Sequence, residues 1–135
     1  MFEDIDPRSP TPLYEQIASR VRVAVAAGDF HAGDALPSVR ELSRQLRLNP
    51  ATVVQAYREL EADGFVETKR GAGTFIREVH VMRKEEEREL RAREIARKAL
   101  QDAARLGVPA AEVLDALLNE IGEDAAVDAG SRGVR

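Results

Sequence analysis

Two helix starts lying close together constrain this fold more than any other feature of the chain. Ser38-Val39-Arg40-Glu41 has the form of a capping box, in which the serine hydroxyl accepts from the Glu41 amide while the glutamate reaches back. Pro37, just ahead, helps fix where that helix begins. Asn49-Pro50 is a second start, an N-cap followed by proline at the first helical position. About three helical turns separate the two starts, so one short helix and a tight turn must fit between them. Val39, Leu42 and Leu46 form the buried face of the first of these helices. Val53, Ala56, Tyr57 and Leu60 form that of the second, which Gly64 stops.

The flanks complete a recognisable order. Thr11-Pro12 reads as an N-cap with proline at the first helical position. Tyr14, Ile17, Val21, Ala24 and Val25 follow at helical spacing, and Gly28 closes that helix. A turn runs from Asp29 to Asp34. Phe65 to Lys69 and Thr74 to Arg77 are strand-like runs joined by a glycine-bearing turn, Arg70-Gly71-Ala72-Gly73. Helix, helix, short turn, helix, hairpin is the order of a winged helix-turn-helix. The expected fold class is mainly α with a small β-hairpin wing, followed by a short C-terminal helical dimerisation region.

Beyond residue 80 the texture changes. Arg83 to Arg97 is densely charged and reads as a solvated helix. Ala92, Ala96, Ala99, Ala103 and Leu106 make a seam for another helix, which Leu100 widens. Leu106-Gly107-Val108-Pro109 breaks the helix. Val113, Leu114, Leu117, Leu118 and Ile121 are the apolar stripe of a final one. The expected division is a winged helix-turn-helix DNA-binding domain over 1–78, a helical dimerisation region over 79–122, and a disordered tail over 123–135.

Composition removes most other functions. With 135 residues, a winged head leaves no room for a full metabolite-binding domain. The chain has no cysteine, and His31 and His80 stand alone, so no metal-ligand spacing exists and no metal or other cofactor is expected. No nucleophile has an acid–base partner, so an enzyme is not expected. Arg70-Gly71-Ala72-Gly73 lacks the Lys-Ser/Thr and the helix that a nucleotide loop needs. No apolar run approaches the roughly 20 residues that cross a bilayer. A cytoplasmic protein without a membrane partner is expected. The net charge of −4 is unevenly spread. Residues 38–77 hold seven Lys/Arg against five Asp/Glu, while 110–128 hold six acids and no base.

A winged helix-turn-helix can read DNA by a known geometry. The third helix enters the major groove N-terminus first, while the second crosses the backbone. Burial of Val53, Ala56, Tyr57 and Leu60 turns Ala51, Gln55 and Arg58 outward. Asn49 and Thr52 lie at the leading end, where amides and the helix dipole favour a phosphate. Arg40 can fork onto a guanine edge or a phosphate. Ser38 is a cap with a second role at the backbone. Lys69 and Arg70 sit at the wing tip, which Gly71 and Gly73 allow close to the sugar-phosphate chain. Tyr57 is a core residue whose hydroxyl is a candidate phosphate donor.

Pro12-Leu13-Tyr14-Glu15-Gln16-Ile17 and Gly33-Asp34-Ala35-Leu36-Pro37-Ser38-Val39-Arg40-Glu41-Leu42 together resemble the DNA-binding domain of GntR-family regulators. So do Asn49 to Glu61 and Gly64-Phe65 with Arg70-Gly71-Ala72-Gly73-Thr74-Phe75. The short helical C-terminus is similar to that of the YtrA subfamily. The resemblance implies a double-stranded DNA operator of pseudo-palindromic form, bound by a homodimeric repressor. It implies DNA contacts from Arg40, the start of the third helix and the wing glycines. A winged-helix adaptor that binds protein rather than DNA is the alternative, and retention on heparin at low salt separates the two. An effector, if the chain answers to one, has no domain of its own. It is expected where wing and C-terminal helices meet.

Overall fold

Pro12, rather than Thr11, caps the first helix. In the computed structural model, which describes residues 1–78 and 84–122, α1 runs Leu13–Ala26 behind an extended Pro12 (ψ 146°) that offers no side-chain acceptor. The Gln16 side chain organises the segment ahead instead. It accepts from the Asp6 amide at 2.8 Å and donates to the Asp6 and Thr11 carbonyls at 2.9 and 2.8 Å. The Thr11 carbonyl is thus tied down, and the helix begins one residue later than the sequence suggests.

The two close starts behave as local chemistry dictates. α2 spans Val39–Leu46, with Ser38 Oγ accepting from the Glu41 amide at 3.1 Å. α3 spans Pro50–Ala62, with Asn49 Oδ1 accepting from the Ala51 amide at 3.0 Å. The core of this unit gathers Ile17, Val21, Leu42, Val53, Ala56, Leu60, Val66 and Ile76, all essentially buried. Val39 and Leu46 are only partly covered. Ser43 is buried in their stead, its hydroxyl satisfied by the Val39 carbonyl at 2.6 Å. Tyr57 donates its hydroxyl to the Pro37 carbonyl at 2.6 Å, pinning α3 to the start of α2. Burial, reinforced by the nearby Glu41 charge, pushes the phenol well above its ordinary value, so it stays a donor at any working pH. Tyr57→Phe is expected to destabilise the winged unit by about 1–2 kcal/mol, read from chemical denaturation, because the Pro37 carbonyl loses its partner.

The wing is an antiparallel pair, β1 (Val66–Lys69) and β2 (Gly73–Ile76), with Val66 opposite Ile76 at the buried base and Lys69 opposite Gly73 at the tip. Phe65, expected in the first strand, instead closes α3 by donating its amide to the Leu60 carbonyl at 2.9 Å. The stretch 33–36, which begins in the last two residues of the expected 29–34 turn, lines the far edge of β2. Ala35 bridges Phe75, Leu36 donates to the Thr74 carbonyl at 2.9 Å, and Ile76 donates to the Asp34 carbonyl at 2.8 Å. The hairpin is therefore held to the head through the far edge of β2 and through the packing of β1 on α3.

The chain divides into two compact units, 1–79 and 80–135. In the second, α4 (Glu85–Leu106) turns at Gly107 (φ +74°) into α5 (Ala110–Ile121), and the two helices pack together. Pro109 stands at the N-cap of α5. The expected tail, 123–135, and the start of the expected dimerisation region, 79–83, lie outside the described residues. So does the junction expected to hold an effector. No helix among the described residues is long and apolar enough to cross a membrane.

Candidate nucleic-acid interface

Burial of one side of α3 leaves the other side free. Ala51, Gln55 and Arg58 are exposed and Thr52 is half-covered, as the helical phase requires once Val53, Ala56, Tyr57 and Leu60 face inward. Arg40 is exposed in the first turn of α2, and Lys69, Arg70, Gly71 and Gly73 are exposed at the wing tip. All these residues belong to the one unit.

The caps divide their hydrogen-bonding capacity in a useful way. Ser38 spends a lone pair on the Glu41 amide, which leaves its O–H to donate. Asn49 spends its carbonyl oxygen on the Ala51 amide, which leaves its NH₂ group to donate. A phosphate oxygen only accepts, so both caps suit it without giving up the helix end. The backbone at the α3 start is less available than expected. Pro50 has no N–H, the Ala51 amide is taken by Asn49 Oδ1, and the Thr52 amide bonds the Asn49 carbonyl at 3.0 Å. Side chains, rather than amides, are the donors at this end. The Tyr57 hydroxyl is committed to Pro37 and does not face outward as a donor.

The wing glycines are demanded by conformation. Gly71 (φ +80°) and Gly73 (φ +122°) occupy backbone regions that side chains disfavour, while a Cβ on Gly71 would meet nothing within 4 Å. Lys69 leans on its own hairpin, 3.7 Å from Glu67 and 5.3 Å from the centre of the Phe75 ring. Such an exposed pair is weak and yields readily to a stronger anion.

The sequence expectation left out two cations. Arg44 is exposed one helical turn after Arg40 on α2, and Arg47 is exposed just past the end of that helix. Arg40, Arg44, Arg47, Arg58 and Arg70 make no ion pair among the described residues, whereas Arg22 is engaged by Asp63. These exposed guanidinium groups, carried by α2, α3, the turn between them and the wing, leave their charge open to an anion.

In the second unit the expected dimerisation residues are mostly solvent-exposed on the single chain. Ala92, Ala96 and Ala99 are exposed, as are Leu100 at 48%, Leu106 at 73%, Leu114 at 56%, Leu117 at 54% and Leu118 at 42%. Val113 and Ile121 are half-covered. Ala103 is buried, at the bend where the Val108 amide bonds its carbonyl at 2.8 Å.

The model describing bacterial regulatory proteins of the gntR family matches residues 13–76. The uncharacterized HTH-type transcriptional regulator YhcF of Bacillus subtilis is 36% identical over 110 residues, spanning 82% of this chain and 90% of that protein. The chain belongs to the GntR family. This GntR-family chain is 53% identical over 74 residues to the HTH-type transcriptional repressor YtrA of Bacillus subtilis, a match that covers 55% of the chain and only 57% of that repressor. Among solved structures, YtrA from Sulfolobus acidocaldarius, a GntR-family transcription factor, superimposes with a TM-score of 0.54 at 34% identity, over 75% of this chain and 99% of that one. These likenesses place it with the YtrA-like regulators. It is a transcriptional regulator that binds DNA, and not an enzyme.

Proposed function

We propose that this GntR-family regulator is a homodimeric repressor that recognises a pseudo-palindromic operator. In this proposal residues 1–78 are the DNA-binding head. Gln55, Arg58, Thr52 and Ala51 meet base edges in the major groove, and Arg40 meets a guanine edge or a phosphate. Ser38 and Asn49 donate to phosphates, while Lys69, Arg70, Gly71 and Gly73 follow the backbone beside the groove. Two-fold symmetry would set the two α3 helices about 34–36 Å apart, in successive major grooves. Such work places the protein in the cytoplasm, with α4 and α5 joining the two copies.

The observation that carries this proposal is the α3 surface. Its inward residues are packed into the core, and its outward ones are exposed, Arg58 among them without an ion pair among the described residues. Selection of duplexes from a random pool is the test. Recovered sites should show two inverted half-sites about one helical turn apart. Recovery of no enriched sequence, or of a single unrepeated half-site, would reject the operator form. Arg40→Ala is expected to weaken binding to the recovered site by about 1–3 kcal/mol, roughly 5- to 150-fold, if the guanidinium forks onto a base. A gel-shift titration with unchanged midpoint would remove Arg40 from the interface.

A further inference from the structure

α1, α2, α3 and α4 all end with the same chain reversal. In each, an amide just past the helix bonds the carbonyl five residues back: Asp29 to Ala24 at 2.9 Å, Leu48 to Ser43 at 3.0 Å, Phe65 to Leu60 at 2.9 Å, and Val108 to Ala103 at 2.8 Å. The residue at the pivot must take a positive φ. Three of the pivots are glycines, Gly28, Gly64 and Gly107. The fourth is Arg47, at φ +54°, the only non-glycine with positive φ among the described residues. A Cβ in that region crowds the following carbonyl, so glycine would fit the turn better. The chain holds an arginine at its one strained pivot, and that pivot is the turn between α2 and α3.

Helix-end electrostatics do not account for it. Arg44 already supplies a cation to the last turn of α2. The Arg47 side chain is exposed and pairs with no acid among the described residues. Its position does suggest a use. Arg47 lies two residues before the Asn49 cap, in the turn that delivers the chain to the N-terminus of α3, and Arg40 and Arg44 on α2 are exposed cations of the same unit. We propose that Arg47 is a phosphate-contacting residue, kept at the cost of backbone strain to grip the DNA backbone beside the leading end of α3. This rests on the DNA-binding proposal above.

The test compares Arg47→Gly, Arg47→Lys and the wild-type chain on a short duplex carrying the selected site, with affinity followed across a salt series. Arg47→Gly should raise the thermal midpoint by a few degrees, because the strain is relieved. The same variant should bind every duplex several-fold more weakly. Its plot of log affinity against log salt should be shallower by about 1 for each arginine lost. Arg47→Lys should retain most of the wild-type slope. An Arg47→Gly protein with wild-type affinity and slope would overturn the assignment. So would a lowered midpoint with a binding loss that lysine does not restore, since that is the pattern of a structural residue. A wild-type chain with no salt-dependent affinity for the duplex would instead reject DNA binding itself, and Arg47 with it.

Discussion

Leu60→Ala is expected to destabilise the winged unit by about 2–5 kcal/mol. Leu60 is fully buried on α3, in the same core as Ile17, Val21, Leu42, Val53 and Val66. Two effects add: the lost transfer energy of the removed methyl groups, and a cavity that close-packed neighbours fill only in part. The setting makes the loss severe. A head of this size buries a smaller share of its surface than a large domain does, and total stabilities of about 5–15 kcal/mol leave little margin. The backbone bond from the Phe65 amide to the Leu60 carbonyl survives the substitution, so the end of α3 should not unravel for a local reason. Urea denaturation followed by circular dichroism would measure the change. A loss below about 1 kcal/mol would mean that this side chain is not enclosed as described. Where the variant is still folded, its DNA affinity should match the wild type, because Leu60 faces away from the proposed interface.

What the sequence disclosed, and what it concealed, follows the range of the interactions. Helix starts at Ser38 and Asn49 are set by one side chain reaching one or two amides a few residues away, so they are legible without any fold. Helix stops at Gly28, Gly64 and Gly107 are legible because only glycine takes a positive φ freely. Arg47 makes the same stop with a side chain that conceals it, and only the backbone reveals it. The pairing of 33–36 with β2 joins segments some forty residues apart, and nothing in its local pattern announces a strand. Ser43 is polar and lies outside the expected Val39, Leu42 and Leu46 face, yet its hydroxyl bonds the Val39 carbonyl within its own helix and so can be buried without loss. At the candidate site, the exposed residues of α3 followed from helical phase alone. The occupancy of the Ala51 and Thr52 amides did not, because it depends on how the cap settles.

Leu114→Glu with Leu117→Glu is expected to convert the proposed dimer to monomers and lower operator affinity by about 10²- to 10⁴-fold. On a single chain, Leu114, Leu117 and Leu118 lie on one face of α5 and are each about half exposed, and Leu100 and Leu106 on α4 are also wet. So much aliphatic surface on a short helical hairpin is costly in water, and a second copy of the same face would cover it. Glutamate is nearly as good a helix former as leucine, so α5 itself should persist. The change instead buries charge at the two-fold interface, where it lacks a partner. The effect on DNA is larger than the effect on either head. In a dimer, the first head to land holds the second at a high local concentration over the other half-site, and a monomer forfeits that gain. Sedimentation at micromolar concentration would read the mass, and binding to the whole site and to one half-site would read the affinity. The head's own thermal transition should not move. A double variant that stays dimeric would place the subunit contact elsewhere. A wild-type chain that sediments as a monomer at micromolar concentration, yet binds the full site as tightly as expected for two linked heads, would break the link between α4–α5 association and operator recognition.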